Sequence, residues 1–549
     1  MMDLTLFGLT DIVLSLKVTS LANFFAILIS ISFVMVMFLM PKYKLSKSFY
    51  ALLALLTASL FLIVYAADYL LFFIGWEVMS ISTYFLLSFT LSKKALYKYI
   101  IFAMASALSL FIAILMLYST NHSFLYVDAK ESFSAMSSVM SIAFIGFMLF
   151  AIFIKLGTIG FHYWLVDAYE ESQNLFTPFL SGVVSKMGVY ALMLFVINVT
   201  QPALVLAVMG VMTSVIATFK AIQEDSVKRL LAYSSIAQLG YIVTVLGVAD
   251  GMGGALYHSL IHTAVKLLLF INVAGIIYVT RREKFSQLGG LLHRMPQSFV
   301  LLLIGIIALA GMPPLGGFAS KFMIYTTLLD AKYLLILSAV MFSSASAFLY
   351  VYKLIYGIYL GHPTNKKLES VKEVPLSFLI PQYILSVILI VIGTFPALVI
   401  PYFNSIMKES NLNSIVFENS ATLVSSYAQY NGLVVMGAFI VVFALVLLFF
   451  VSVGSKTKEA KDRFDIAFCG EVPNEATHLH YGAGMGKELK RVGFIATILK
   501  NSSSTFYNFL AKQTEELSQI LRKIYSGNLS LNFNIAIIFI LILFWWSVK

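Results

Sequence analysis

Continuous apolar runs of about 20 residues follow one another along almost the whole chain, separated by short polar clusters. No alternation of apolar and polar positions runs through them, so they predict helices and not the strands of a barrel. The windows fall near residues 18–40, 48–66, 67–88, 97–118, 139–164, 178–199, 203–222, 229–249, 254–280, 298–330, 333–358, 376–400, 433–453 and 531–547. That predicts an all-α polytopic membrane protein with about 14 transmembrane helices.

The polar clusters differ in charge. Lys42, Lys44 and Lys47 follow the first window, Lys93, Lys94 and Lys98 the third, Lys228 and Arg229 the seventh, Arg281, Arg282, Lys284 and Arg294 the ninth, and Lys366, Lys367 and Lys372 the eleventh. The loops at 119–138, 200–202, 250–253 and 401–432 carry little positive charge. Basic loops stay in the cytoplasm, so the odd-numbered exits face it and the N-terminus lies outside. The fifth exit, around Asp167, Glu170 and Glu171, is neutral to acidic and leaves the count undecided there. Sorting of this kind also accounts for the net charge of +11, and no nucleic-acid partner is expected. The opening MMDLTLFGLTDIVLSLK has acids before its only lysine and no small-residue cleavage site, so no signal peptide is predicted.

Two windows carry helix breakers at their centres. FIKLGTIGFHYWLVDAY holds Lys155, Gly157 and Gly160; ALAGMPPLGGFASKFMIY holds Gly311, Pro313, Pro314, Gly316 and Gly317 just before Lys321. Proline removes a backbone donor and glycine relaxes the helix, so both windows predict broken helices. A pair of these in two halves of a bundle points to a transport site near the midplane; either alone also reads as a kink with no ionic role, but the lysine beside each break favours function.

Ionisable residues inside the windows carry the chemistry. His258, His262 and Lys266 recur at i, i+4 and i+8 and so share one helical face. Each such group costs about 2.5–3.5 kcal/mol at membrane depth on insertion scales, which favours a role in moving ions or protons. Buried hydrogen-bonding histidines or a helical HxxxH metal pair are the plainer alternatives. Glu77 has no charged neighbour in its own window, and a lone buried carboxylate takes up a proton, so a partner on another helix is expected. Lys155 suits that place: with Glu77 near it keeps its proton, and with Glu77 withdrawn it releases it. A static salt bridge fastening two helices is the competing reading. Lys186 lies one window further along, placed to receive a proton or, alternatively, to reach an interface with its amine. Glu224, Asp225, Lys228 and Arg229 read as orientation and capping at the cytoplasmic surface.

Composition excludes several classes. Of 549 residues, 60% are hydrophobic and 11% charged, beyond what an aqueous globular domain carries. One cysteine, Cys469, rules out a disulfide framework and a four-cysteine iron–sulfur cluster held by this chain alone. No GxxxxGK[ST] loop or strand-preceded GxGxxG is present, so neither ATP nor a nicotinamide is expected as a ligand. No cofactor is expected in this chain.

The ordered motifs WEVMSISTYFLL, KLGTIGFHYWLVDAY, LSGVVSKMGVY, QEDSVKRLLAYSSIAQLGY, YHSLIHTAVKLLLF and GMPPLGGFASKF resemble the antiporter-like subunit family. That family comprises the proton-pumping membrane-arm subunits of respiratory complex I, the large Mrp-type cation/proton antiporter subunits and their equivalents in membrane-bound group 4 hydrogenases. The resemblance spans roughly residues 18–400 and implies two inverted five-helix repeats. It also implies a relay: Glu77 as the essential helix glutamate, Lys155 in the first broken helix, Lys186 on the next helix, His258, His262 and Lys266 at the centre, and Lys321 at the exit. The chain departs from the family pattern FxPFHxWLPDAH at Gly157, Gly160 and Val166, a drift associated with the hydrogenase and Mrp branches. The family has two further helices before the point where this sequence begins, which leaves a flank for a neighbouring subunit or lipid.

The expected organisation is N-terminal helices at 1–66, a first half at 67–202, a second at 203–360, peripheral helices at 361–453, a cytoplasmic segment at 454–530 and an anchor at 531–549. Within 454–530, Phe506, Phe509, Leu510, Leu517, Ile520, Leu521 and Ile524 line one stripe of an amphipathic helix from Lys487 to about Ser526, suited to lying along a membrane or partner. The resemblance implies a lateral brace between neighbouring subunits, and a hydrogenase-4-type tail around Cys469. The function implied is that of a proton-translocating membrane subunit of a complex-I-like redox assembly in the inner membrane. Its expected partners are other antiporter-like and quinone/proton-channel-like membrane subunits, soluble redox subunits and lipid. Iron–sulfur clusters, and a NiFe centre in the hydrogenase case, belong to those partners. Sodium/proton exchange of the Mrp type, a quinone-reducing complex I subunit and the membrane subunit of an inorganic carbon uptake system are the alternatives.

Overall fold

The computed structural model describes residues 3–9, 12–199, 203–360, 368, 370–454, 491, 493 and 502–524. It divides into two compact units, Met1–Lys487 and Glu488–Lys549. Among the described residues, 12 helices are long and apolar enough to cross a membrane, and the architecture is all-α and polytopic.

Short polar N-caps set where these helices start. Ser46, Ser92, Ser137 and Ser226 each accept a hydrogen bond from the backbone three residues on, and Asp68 does the same for Leu71. In chain order the first unit contains α1 (Ser20–Met37), α2 (Lys47–Tyr65), α3 (Tyr69–Ser88), α4 (Lys93–Asn121), α5 (Ser138–Leu156), α6 (Tyr163–Glu171), α7 (Thr177–Asn198), α8 (Leu204–Gln223), α9 (Val227–Leu246) and α10 (Met252–Thr280). There follow α11 (Pro296–Ala310), α12 (Gly316–Asp330), α13 (Leu334–Leu360), α14 (Leu376–Thr394), α15 (Ile400–Glu409) and α16 (Gly432–Gly454).

The two interrupted windows are broken as their breakers predict. Gly157 and Gly311 end α5 and α11 in the left-handed conformation, at φ 65° and 74°, which a side chain rarely adopts. The window 298–330 therefore yields two half-helices, each too short to cross a membrane alone. Each broken pair is the fourth crossing in a set of five, one set from Lys47 to Asn198 and the other from Leu204 to Leu360. Five crossings reverse direction, so the second set starts on the face opposite the first.

Loop contacts sort the exits onto two faces. On one, Ser92 donates to Glu171, Lys228 to the Ser172 carbonyl, Val227 to the Glu283 carbonyl and Lys353 to the Ile222 carbonyl. These join the third, fifth, seventh, ninth and eleventh exits, and the acidic fifth exit falls with its basic neighbours. On the other face Ser15 donates to Asp68, Asp68 bridges Leu125, Asn413 donates to Asp250 and Ser20 donates to Glu409.

The most buried helices are α9 and α10, at the centre of the two sets. α8 meets α9 closely where Gly210 lies against Gly240 and Thr244; a Cβ on Gly210 would come within 2.3 Å of the Thr244 nitrogen. Two features lay outside the apolar pattern: an antiparallel hairpin, β1 (Asp3–Leu9) with β2 (Ile12–Lys17), and three short strands between Phe417 and Asn431.

The second unit holds α17 (Ser502–Ile524), with Phe509, Leu510 and Leu517 exposed and Lys512 paired to Glu516. It lies within the expected amphipathic helix. The rest of that helix, Cys469 and the anchor at 531–549 lie outside the described residues.

Candidate functional site

Six of the seven residues singled out above are buried: Lys155, Lys186, His258, His262, Lys266 and Lys321 are each at most 3% exposed. Glu77 is half-buried. Burying four ammonium groups costs on the order of 10 kcal/mol on insertion scales, so the local arrangement has to supply compensation.

At the first break, Lys155 sits in the last turn of α5 and donates to Ser80 Oγ of α3 at 3.2 Å, with its amine 5.4 Å from the Trp76 ring centroid. Glu77 is one turn from Ser80, and both line a crevice of about 380 Å³ whose walls are otherwise apolar, including Phe73, Ile81 and Phe111. Glu77 acts on Lys155 electrostatically, yet no salt bridge joins them among the described residues. The static ion pair weighed as an alternative is therefore not formed. The C-terminal carbonyl of Ile154 is taken by Trp164 Nε1 of α6 at 2.8 Å, which leaves the lysine free of that task.

Lys186 follows a five-residue π turn, Leu180–Val184, inside α7. Lys186 Nζ donates to two carbonyls of this turn, Gly182 O at 3.2 Å and Ser181 O at 3.4 Å, and the Ser185 hydroxyl shares the second at 3.1 Å. Thr263 on α10 donates to the same Gly182 carbonyl at 3.1 Å, tying Lys186 to the residue beside His262.

On α10 the i, i+4, i+8 spacing places its three residues on one buried face. The imidazoles of His258 and His262 stack with centroids 6.3 Å apart, and Lys266 donates to the Leu231 carbonyl at 3.1 Å and to Ser234 Oγ. Neither ring nitrogen of His262 has a hydrogen-bond partner among the described residues. No third metal-ligating side chain joins the pair there, so the HxxxH metal reading finds no ligand set among the described residues.

His258 Nδ1 meets Ser320 Oγ at 3.0 Å, which brings the histidines to the residue next to Lys321. At this second break Lys321 Nζ caps the last carbonyl of α11, Ala310 O, at 2.6 Å and donates to Ser344 Oγ at 2.7 Å. Tyr241 lies between the two groups: its ring is 5.9 Å from the His258 ring and 5.5 Å from the Lys321 amine, and its hydroxyl meets Ser343 Oγ at 2.9 Å.

The sequence reading passed over His162, Tyr241 and Lys353. His162 occupies the first break, fully buried, with its ring 4.3 Å from the Tyr163 ring and neither nitrogen hydrogen-bonded among the described residues. The family pattern itself names this histidine. Tyr241 left no signal in an already apolar window. Arg229 does work at the surface, holding Glu224, Asp167 and Glu170 together at 3.0, 3.2 and 2.8 Å. Lys228, by contrast, turns inward.

Known proteins resemble this chain in sequence and fold. Chain 4 1 of an NAD(P)H-quinone oxidoreductase from Synechococcus elongatus is 31% identical over 301 residues, covering 52% of this chain and 56% of that protein. The chain thus aligns with little more than half of that relative. Na(+)/H(+) antiporter subunit A1 of Staphylococcus epidermidis is 26% identical over 422 residues, covering 70% of this chain and 52% of the antiporter subunit. A chain of the membrane-bound sulfane sulfur reductase, an archaeal respiratory membrane complex, superposes with a TM-score of 0.89 at 26% identity, over 99% of this chain and 91% of that one. The model of the family described as NADH:quinone oxidoreductase/Mrp antiporter, TM, matches residues 66–347, more than half of the chain and every residue from Glu77 to Lys321, so the chain belongs to the NADH:quinone oxidoreductase/Mrp antiporter transmembrane family.

Proposed function

We propose that this chain is a proton-translocating membrane subunit of a complex-I-like, redox-driven assembly. The observation that carries the reading is the line of buried ionisable side chains through both five-helix sets, joined by the Gly182 carbonyl and the Ser320 hydroxyl. Fold maintenance alone would favour apolar residues here, because buried charges are often replaced by well-packed apolar groups at no loss of stability. Redox events in partner subunits shift charge near Glu77. Its approach to Lys155 holds the proton and its withdrawal sends it toward Lys186, His262, His258 and Lys321.

The host assembly is a group 4 hydrogenase-type or related complex. The likeness to the sulfane sulfur reductase chain over 99% of this chain favours a respiratory complex of that kind as the related complex. Iron–sulfur clusters, any NiFe centre and the electron donor and acceptor would then sit in soluble partners, and other antiporter-like subunits beside it in the inner membrane. A second reading, sodium/proton exchange, draws on the likeness to the Na(+)/H(+) antiporter subunit.

Proton and sodium movement in vesicles holding the purified complex tests both. Driven by the redox partners, Lys155→Ala and Lys321→Ala are expected to abolish proton uptake while redox turnover partly survives. Unchanged uptake in both variants would make this chain a brace and place the proton path elsewhere. Sodium movement lost in step with the proton would favour exchange.

A further inference from the structure

A second polar feature lies apart from the Glu77–Lys321 line. A cavity of about 510 Å³ opens on the face where the odd-numbered exits meet, and Glu170, Glu171, Ser172, Asn174, Lys228 and Glu283 line it. Lys228 belongs to this wall but is only 3% exposed; it donates to the Ser172 carbonyl and to Asn174 Oδ1, both at 3.0 Å. The basic residue beside it, Arg229, is already neutralised by three carboxylates. Anchoring and orientation are therefore provided without Lys228, and its burial needs another explanation.

Hydroxyls lead inward from that point. Ser172 Oγ and Thr177 Oγ1 are 2.7 Å apart. One helical turn further along α7, Ser181 Oγ meets Ser235 Oγ of α9 at 3.2 Å. Lys186 donates to the Ser181 carbonyl, and Lys266 donates to Ser234, the neighbour of Ser235. Lys228, Leu231 and Ser235 recur at i, i+3 and i+7, so the same face of α9 carries the cavity lysine, the carbonyl bound by Lys266 and the last hydroxyl. The ladder ends beside both lysines, and Lys266 lies one turn along α10 from His262, whose buried ring nitrogens have no partner among the described residues.

We propose that this acid-walled cavity is the port through which protons enter the chain, with Lys228 passing them to the Ser172–Thr177–Ser181–Ser235 hydroxyl ladder. The proposal rests on the relay reading given above. In each step the Lys228 ammonium gives up one proton to water at the Ser172 hydroxyl, each hydroxyl accepts a proton while releasing its own inward, water bridges the turn from Thr177 to Ser181, and the resulting amine regains a proton from water in the cavity. No bond other than O–H and N–H changes. The port selects protons over metal cations, because a cation close to an ammonium is repelled, whereas a proton can pass through the amine itself.

The test uses the assembled complex in vesicles, with Cys469→Ser as background. Arginine is a positive donor that does not release its proton in proteins, so Lys228→Arg keeps the hydrogen bonds and removes the hand-over. Proton uptake is expected to fall about tenfold in Lys228→Arg and Lys228→Met, with Lys228→Arg assembling normally. Thr90→Cys on the cavity rim should lose uptake when a bulky, impermeant cationic thiol reagent is applied from the basic-loop face, and keep it when the reagent is applied from the other. Wild-type uptake in Lys228→Arg would make Lys228 a fastener and overturn the port, as would indifference of Thr90→Cys to the reagent. If these occur while Lys155→Ala still blocks uptake, the relay stands without this entrance. If Lys155→Ala and Lys321→Ala both transport normally, the relay and its port fall together.

Discussion

The two broken helices solve one problem in opposite ways. Each ends its first half on a left-handed glycine, leaving carbonyls without intrahelical partners at the negative end of the helix dipole. At the first break a neutral indole, Trp164, caps the Ile154 carbonyl, and Lys155 keeps a single 3.2 Å contact to Ser80 beside an unpaired glutamate. At the second, Lys321 itself caps Ala310 and also binds Ser344. The first lysine is thus held by fewer hydrogen bonds, near Glu77. The second is held tightly, and no salt bridge reaches it among the described residues. Under the proposed relay, the first would act as a switch and the second as a fixed station, according to which side chain supplies the cap.

Removing the charge from the loose site should have the largest effect on transport. Glu77→Gln keeps shape and polarity, so the fold should be retained while proton uptake drops by about tenfold or more, measured with a pH-sensitive dye inside vesicles. Ser344→Ala at the tight site leaves Lys321 its Ala310 carbonyl and should lower uptake by no more than about threefold. Equal losses in the two variants would remove the distinction between switch and station.

Stability should divide the other way. Lys321→Met leaves the Ala310 carbonyl and the Ser344 hydroxyl unsatisfied in the core, at a cost of about 1–3 kcal/mol for each such group. Lys155→Met leaves the Ser80 hydroxyl donating to the Trp76 carbonyl at 2.8 Å and removes a buried charge, so it should be neutral or mildly stabilising. Thermal unfolding of the complex in detergent measures both. A Lys155→Met variant as unstable as Lys321→Met would show that the first lysine is structural as well.

Trp164→Phe asks whether the cap determines the difference. Without the indole N–H the Ile154 carbonyl keeps only the Gly157 N–H at 3.1 Å, and Lys155 becomes a candidate for the vacated place. Uptake should fall several-fold, with a loss of about 1 kcal/mol in stability. Unaltered transport would mean that Lys155 is held by something other than its freedom from capping.

Much of this geometry was legible in the sequence, and the remainder has a definable reason. Helical periodicity is local, so the common face of His258, His262 and Lys266 and the breaks at Gly157 and Gly311 could be read from spacing and residue type. The contacts that distinguish the two breaks are not local in the same way. Trp164 and Lys321 lie ten and eleven residues from the carbonyls they cap, across a turn whose path no periodicity encodes. The π turn before Lys186 sits inside an uninterrupted apolar run. Lys228 was read as a topological charge because positive-inside sorting explains a basic residue there, and only the fold separates the buried Lys228 from the paired Arg229. The terminal hairpin pairs Asp3–Leu9 with Ile12–Lys17 ahead of the first helix, and neither strand is long enough to form a membrane-length run.

The smallest effect separates the two glycines. Both positions have positive φ, so alanine at either costs about 1 kcal/mol or somewhat more in backbone strain. Their surroundings differ. A Cβ on Gly157 would meet Leu165 Cδ1 at 2.7 Å, the terminal methyl of an apolar side chain with no polar anchor. A Cβ on Gly311 would meet Lys321 Cδ at 2.4 Å and Cε at 2.9 Å, on a chain pinned at its amine by Ala310 and Ser344. Gly157→Ala should therefore lose stability with uptake per assembled complex nearly unchanged. Gly311→Ala should lose a similar amount of stability and also about twofold in uptake, because relief of the overlap has to move the lysine stem. If Gly157→Ala proves the more damaging to transport, the first break is the rigid one, and the assignment of switch and station must be exchanged.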